Sequence, residues 1–367
     1  MVSSKIPLRK KIALELFRKY RKNTTQLHQL DYIFWECTLR CNLSCLHCGS
    51  DCKKEASTPD MPVADFIKVI DDIREIVEPD KTMIVFTGGE PLLRNDLEVC
   101  GQMLYDRGFP WGIVSNGLQF TGKRLESMLK AGLRSVTISL DGLEDAHNWL
   151  RNHPQSFQKA VQAIQLLAGV DDLEFDVVTC VNERNIGELE EVKKLLVSLG
   201  VKEWRLFTVF PVGRARENAG LQLSPVNFKK VFDFMAAERK KGEIVVNYGC
   251  EGFLGGYEGE VRDNLFFCRA GINVASVLID GSISACPNLR ASFIQGNIYT
   301  DSFRETWEYK FQSHRNRAWL KTGLCKSCEF FRYCEGNGLH LRDGETGELM
   351  FCHLQRIVEG EAASAET

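Results

Sequence analysis

The chain has 367 residues, 44% apolar and 26% charged, with a formal net charge of −3. That length can bury a large core and exceeds one ordinary small domain. The near-neutral balance gives no global basic field for nucleic acid. No apolar run reaches the ~20 residues of a membrane span. The charged N-terminus lacks the apolar segment of a secretory signal, so a cytoplasmic location is expected.

The first segment, KIPLRKKIALELFRKYRK, is basic and sets Leu8, Ile12, Leu16, Phe17 and Tyr20 at helical spacing. It predicts a basic helix within residues 1–28, packed on the barrel of strands and helices that follows, with its lysines in water. Docking to an acidic partner or a membrane surface is the alternative. Six strand candidates come next, at 32–37, 82–88, 111–116, 135–141, 174–181 and 204–210. Amphipathic helical stretches near 62–78, 95–107, 122–131, 156–168, 187–199 and 225–241 separate and follow them. Six β-then-α units with apolar strands imply a parallel sheet over residues 29–242. Periodicity leaves both an open sheet and a curled one possible, and in either case ligands belong at the carboxyl ends of the strands. After Gly242 the texture changes: glycines crowd YGCEGFLGGYEGE, and ASVLIDGSISAC predicts a hairpin turning at Asp280-Gly281. A second domain is placed at 243–358, and the small, acidic residues 359–367 are expected to be disordered.

Fourteen cysteines need a reason. A non-secreted chain does not use a disulfide framework, and their clustering points to metal. Cys100 and Cys180, isolated in the middle of the chain, read as buried small hydrophobes. The stretch CTLRCNLSCLHCGSDC follows the first strand, and Cys41, Cys45 and Cys48 have the spacing C-x3-C-x2-C. Thiolates suit zinc and iron–sulfur clusters. A structural zinc site would recruit a fourth ligand from Cys37, Cys52 or His47. A 4Fe–4S cluster on three thiolates instead leaves one iron open to a small molecule. Cys37 and Cys52 are read as non-ligands.

Four further segments fall at or after successive strand ends: TGGEP (Thr87 to Pro91), SNG (Ser115 to Gly117), SLDG (Ser139 to Gly142) and HNWLRNHPQSF (His147 to Phe157). Each alone reads as a turn; the ordered set after the cysteine triplet does not. Together they resemble the radical S-adenosylmethionine (SAM) superfamily over roughly residues 30–235. The resemblance implies a partial (β/α)6 TIM-like barrel, a SAM-binding 4Fe–4S cluster on Cys41, Cys45 and Cys48, and cofactor contacts from Gly88, Gly89, Glu90, Ser115, Asn116, Ser139 and Arg151. The glycines of TGGEP would let backbone approach the methionine part of SAM. Asn148 and Asn152 depart from the family's HDxxRG pattern.

The later cysteines are Cys250, Cys268, Cys286, Cys325, Cys328, Cys334 and Cys352. By spacing alone Cys325 and Cys328 could open a zinc knuckle. CRAGINVASVLIDGSISACPN, GNIYTDSFRETW and CKSCEFFRYC together resemble the SPASM domain, which implies one or two auxiliary 4Fe–4S clusters. Cys325, Cys328, Cys334 and Cys352 match one complete set. For the other, the C-x3-C cysteine falls on Gly338, leaving Cys250, Cys268 and Cys286 with His340 nearby. This cluster is expected to be open or missing, and Gly338→Cys is expected to close it.

The resemblance implies that the cluster passes an electron into SAM, which yields a 5′-deoxyadenosyl radical that takes a hydrogen atom from the substrate. The expected substrate is a peptide or protein, such as a lipoprotein or a ribosomally made precursor peptide, receiving an oxidation or a crosslink. CEGNGLHLRD resembles the ending of a subgroup associated with lipoproteins. The alternative is the same chemistry on a small metabolite. A non-catalytic iron–sulfur or zinc protein would not need the strand-end motifs. The expected electron donor is of flavodoxin or ferredoxin type.

Overall fold

The computed structural model describes residues 6–249 and 251–365. After helix α1 (Leu8–Leu27), strands and helices alternate: β1 (Tyr32–Thr38), α2 (Val63–Ile73), β2 (Met83–Gly88), α3 (Leu97–Tyr105), β3 (Trp111–Ser115), α4 (Gly122–Lys130), β4 (Leu133–Ser139), α5 (Glu144–Arg151), α6 (Ser156–Ala168), β5 (Glu174–Val181), α7 (Leu189–Ser198), β6 (Glu203–Thr208), α8 (Pro225–Lys241) and β7 (Val245–Tyr248). The strands β1 to β7 pair in parallel in chain order. A doubly wound sheet reverses its strand order at a switch point. This sheet has no reversal, so every crossover covers the same face and the sheet curls as a partial barrel. The wall behind β1 to β3 is aromatic. Trp35 stacks on Phe66 at 4.3 Å and meets Phe86 edge-on at 5.3 Å, and Phe86 stacks on Trp111 at 5.3 Å.

A seventh parallel strand, β7, lies just past the division expected near residue 243. It escapes the sequence reading because it has only four residues, is partly exposed, and no amphipathic helix follows it. The cysteine-rich region contributes β8 (Val274–Val277), β9 (Ser282–Ser284), β10 (Gly296–Asn297), and helices α9 (Phe303–Tyr309), α10 (Gln312–Arg315), α11 (Phe331–Cys334) and α12 (His353–Ala365). β8 and β9 form the expected antiparallel hairpin, with Gly281 at φ 84° in its turn. β8 also pairs in parallel with the free edge of β1. One ten-stranded sheet therefore runs through both parts of the chain, in the order β10-β9-β8-β1-β2-β3-β4-β5-β6-β7.

Two terminal expectations change. Residues 359–365 belong to α12 and are not a disordered tail; Glu366 and Thr367 lie outside the described residues. Small residues suggest disorder, yet Ala362 and Ala363 are good helix formers, and Leu354, Ile357 and Gly360 are buried. In α1 the packed face is the other one: Leu14 and Arg21 are buried, while Leu8, Ile12, Leu16 and Tyr20 face outward. The helix does not pack on the barrel as expected: Arg21 binds the carbonyls of Tyr333 and Arg332 and the Glu335 carboxylate, and Phe17 meets Phe267, so a buried cation docks it on the cysteine-rich region.

A Cβ at Gly360 would lie 2.3 Å from the Pro225 carbonyl oxygen at the start of α8. Gly360→Val should therefore destabilise the fold by about 1–3 kcal/mol through overpacking, read as a lower denaturation midpoint at unchanged slope. An unchanged midpoint would show that α12 does not bear on α8.

Candidate active site

β1 delivers the chain to a loop in which Cys41 and Cys45 are buried and Cys48 is half-buried, packed with Leu43 and Cys52. The loop is fixed by hydrogen bonds to its surroundings. Cys41 N donates to Lys53 O at 2.8 Å, and Leu46 N to Leu150 O at 2.8 Å. Arg214, on the loop after β6, donates to Cys45 O at 2.8 Å, Cys52 O at 3.0 Å and Asp51 Oδ1 at 2.8 Å, while its backbone N donates to Cys48 O at 3.1 Å. Sequence reasoning missed this clamp, because an arginine in a loop has no periodic signature.

Burial pushes the Cys41 thiol up to about 11, against the Leu43 N–H, and raises Cys45, against Arg151. Cys48 is drawn down to about 5, chiefly because the Cys52 thiol donates to it, and Cys52 is raised in turn. The three thiols of the triplet lie close enough to resist one another's ionisation. Such a set ionises together only around a positively charged centre, and an iron–sulfur cluster fits it.

The TGGEP segment is sewn to this loop. Gly89 N donates to Thr38 O at 2.7 Å and Glu90 N to Arg40 O at 2.8 Å. A Cβ at Gly88, where φ is 126°, would lie 2.1 Å from Thr38 O; one at Gly89 would lie 2.0 Å from Arg40 O. The close approach that these glycines permit is thus to the cysteine loop. The Glu90 carboxylate is buried and accepts from Ser115 Oγ at 2.8 Å, Asn116 N at 2.8 Å and Leu92 N at 3.2 Å. Burial raises its pKa against these donors. Asn116 Nδ2 reaches Asn42 Oδ1 at 2.8 Å and lies 3.9 Å from Cys41 Sγ. Glu90, Ser115 and Asn116 therefore join the ends of β2 and β3 to the first cysteine.

Past β4, where Ser139 is buried at the strand end, Asp141 and Arg151 form a buried pair at 2.5 Å, and Arg151 reaches Cys45 Sγ at 3.8 Å. Burial alone would raise the Asp141 carboxyl, but Arg151, with His47, His147 and the Cys180 N–H, brings it down to about 2. Two imidazole nitrogens here, His47 Nδ1 and His147 Nε2, are buried without a hydrogen-bond partner. The two asparagine departures have local causes. Asn148 Oδ1 accepts from Ser156 Oγ and Phe157 N, both at 2.9 Å, at the start of α6. Asn152 ends α5 at φ 53°, a left-handed position that Asn tolerates better than most residues with a side chain.

In the C-terminal region Cys325, Cys328, Cys334 and Cys352 come together. Arg342 approaches Cys325 Sγ at 3.3 Å and Asn337 N approaches Cys334 Sγ at 3.1 Å. Cys268 is buried; burial raises its thiol, but Arg317 and the N–H groups of Leu339 and Ala270 outweigh burial and lower it. Cys286 is half-buried just after β9. Cys250 lies outside the described residues. Among the described residues no three His, Cys, Asp or Glu side chains gather as one metal ion would require. Closing the second set with Gly338→Cys meets an obstacle, since a Cβ at Gly338 would lie 2.5 Å from Glu251 O. Cys37 and Cys100 are buried; burial raises Cys37, and Cys100 to about 12.

The profile of the radical SAM superfamily matches residues 35–196, and that of the SPASM iron–sulfur cluster-binding domain matches residues 268–329. The chain is a radical SAM enzyme with a C-terminal SPASM domain. Its cofactors are 4Fe–4S clusters and SAM. It is 28% identical over 331 residues to the AdoMet-dependent heme synthase of Methanosarcina barkeri, covering 83% of this chain and 90% of that protein. It is also 28% identical over 324 residues to the mycofactocin maturase MftC of Mycolicibacterium smegmatis, covering 82% and 76%. Among solved structures, anSMEcpe with bound AdoMet and a peptide superposes with a TM-score of 0.70 at 19% identity, over 92% of this chain and 96% of that one. Streptococcus suis SuiB bound to S-adenosylmethionine gives 0.66 at 14% identity, over 85% and 73%. These two likenesses speak for the fold.

Gly89→Ala tests the seam. Its methyl group cannot fit against Arg40 O, so the radical SAM loop should lose most of its iron while the SPASM domain keeps its own. Iron per chain after anaerobic reconstitution reads this out, and wild-type iron in Gly89→Ala would refute it.

Proposed function

We propose that this radical SAM enzyme oxidises a carboxylate-bearing small molecule of the tetrapyrrole class. The observation that carries the reading is the run of heme synthases among its relatives: three, at 25–28% identity, match over 86–90% of their own length. The rim supports it. Arg184 follows β5, Arg216 follows β6, and Arg290 follows β9 and pairs with Glu36 at the end of β1. All three are exposed; Arg184 and Arg216 lie after carboxyl ends of parallel strands, and Glu36 holds Arg290 beside that of β1, where cations can hold carboxylates. A peptide substrate is the second reading, favoured by the mycofactocin maturase at the same 28% identity.

When bound, the SAM-binding cluster supplies a 5′-deoxyadenosyl radical for hydrogen abstraction, and the auxiliary clusters offer an exit for the electron released on oxidation. The protein's part is positional. Cys41, Cys45 and Cys48 would hold the first cluster; Asn116 and Arg151 orient the first two of these sulfurs. Glu90 spends its carboxylate on the ends of β2 and β3, leaving no loose base beside the radical. The buried barrel wall keeps out water, and the rim arginines fix which C–H bond is presented.

Anaerobic reconstitution should give about eight to twelve irons per chain, for two or three cubane clusters. Replacing Cys41, Cys45 and Cys48 together by Ala should abolish 5′-deoxyadenosine formation and leave the C-terminal iron in place. The substrate reading is tested by adding a propionate-bearing iron porphyrin or a set of short peptides to the reduced enzyme with SAM. The porphyrin should raise 5′-deoxyadenosine release, and Arg184→Ala with Arg216→Ala should raise its KM about tenfold, the loss of roughly one charged hydrogen bond. Stimulation by peptides alone would overturn the tetrapyrrole reading.

A further inference from the structure

Helix α1 turns its apolar residues outward. Leu8, Ile12, Leu16, Tyr20 and Leu27 are each 55–75% exposed. Singly exposed apolar side chains are ordinary, but among the described residues no other helix exposes more than two large ones. Leu8, Ile12, Leu16 and Tyr20 stand four positions apart and form one row. Leu27 carries the apolar face to the end of the helix, which is about 30 Å long. An exposed apolar patch of this kind, rimmed by polar residues, marks an interaction surface.

Basic side chains border the row. Lys11 lies three positions from Leu8, Arg9 three from Ile12 and Lys19 three from Leu16, so each is a neighbour of the row on the helix surface. Like Lys22 they are exposed, and among the described residues none of these four cations meets an acidic side chain. The acids at hand are engaged elsewhere. Glu15, the one acidic residue of α1, accepts from Tyr333 Oη at 2.8 Å and Arg18 Nε at 2.9 Å. Glu260 pairs with Lys10, and Glu335 with Arg21, on the docked side. Those contacts, with Phe17 edge-on to Phe267 at 6.3 Å, hold the helix formed before anything meets its outer face. Binding there need not pay for folding.

We propose that the outward face of α1 docks the enzyme on an anionic lipid bilayer. The helix lies along the interface, with Leu8, Ile12, Leu16 and Tyr20 at the acyl boundary and Arg9, Lys11, Lys19 and Lys22 among the headgroups. The charge is complementary: four unpaired cations, on a chain of net charge −3, make a local positive field that attracts anionic headgroups. Their long side chains can reach the headgroups while the stems lie along apolar surface. Shape decides between a bilayer and an acidic protein. Side chains that are all more than half exposed have no walls beside them, so the face is a convex ridge. A ridge sinks into a soft interface, whereas a protein would have to present a matching furrow about 30 Å long. Among the described residues no helix is long and apolar enough to cross a membrane, so α1 lies on the bilayer and does not span it. The proposal is independent of the substrate's identity.

Sedimentation of the full chain with vesicles tests this, using phosphatidylcholine alone and an equal mixture of phosphatidylcholine and phosphatidylglycerol. The mixed vesicles should carry the protein down, phosphatidylcholine alone should bind it about tenfold less or weaker still, and raised salt should release it. Ile12→Ser with Leu16→Ser should weaken binding to the mixed vesicles about tenfold through lost apolar burial. Lys19→Glu with Lys22→Glu should weaken it through charge. All four positions are exposed, so both variants should keep the circular dichroism, the thermal midpoint and the 5′-deoxyadenosine formation of the unaltered protein in solution. Unaltered protein left in the supernatant of the mixed vesicles would overturn the proposal, whether the face then proved to be a dimer contact in sedimentation velocity or the seat of an acidic protein. Equal binding to both kinds of vesicle would overturn it as well. So would binding that the serine pair leaves unchanged, since charge alone would then suffice. None of these results bears on substrate choice, so failure here is separable from failure of the tetrapyrrole reading.

Discussion

Two backbone hydrogen bonds, Gly89 N to Thr38 O and Glu90 N to Arg40 O, join the end of β2 to the first turn of the cysteine loop. They form only if residues 88 and 89 have no side chain, because a Cβ at either would lie about 2 Å from a carbonyl oxygen. The rest of the site builds outward from this seam. It fixes where Cys41 starts, and it turns the Glu90 carboxylate inward to receive Ser115 and Asn116. On the far side the Asp141–Arg151 pair carries the same framework from β4 to Cys45. That pair is buried, and breaking such a pair by removing one partner typically costs about 3–5 kcal/mol. Three thiols are thereby held near one another before any cluster arrives.

The SPASM domain is not a bead on a linker. β8 adds to the open edge of β1, so the strand that leads into the cysteine loop is flanked by β2 on one side and by the SPASM hairpin on the other. Glu36, at the carboxyl end of β1, accepts from Ile279 N in the hairpin turn and pairs with Arg290 beyond it. At the far end of the chain α12 packs along α8, with Gly360 against Pro225. The SPASM region thus grips the barrel at both sheet edges, near β1 and near β7. An electron moving between the domains would cross packed protein rather than a mobile hinge.

The barrel is readable from the sequence because its signals are periodic. Six apolar strands and their helices follow from alternation, and the helix expected at 156–168 coincides with α6. The elements that escape such reading are short, or are held by tertiary contact. β7 has four residues, and α12 is a small-residue helix stabilised by α8. In α1 an i, i+4 apolar row suggests the packed face, whereas Arg21 docks the helix from the opposite side. In the site, the cysteines and glycines stand out because their chemistry or spacing is rare. Arg214 and Asn185 do not, although Arg214 clamps the cysteine loop and Asn185 Nδ2 holds Asp141 O at 2.7 Å. Polar residues in loops become legible only when their partners, distant in sequence, are brought beside them.

The departures from the family pattern are instructive in a different way. Asn148 keeps an acceptor where the pattern has an acidic one, and its amide oxygen takes two hydrogen bonds at the head of α6. Asn152 stands where the pattern has glycine and keeps the left-handed conformation, adding a hydrogen bond to Ser44 Oγ at 3.0 Å on the cysteine loop. In both cases the physical requirement survives the change of residue. Gly338 differs, because no glycine can replace a thiolate. The space where its Cβ would stand is already filled, by the Glu251 carbonyl oxygen at 2.5 Å and the His340 ring at 2.7 Å, so here the local packing has changed along with the residue.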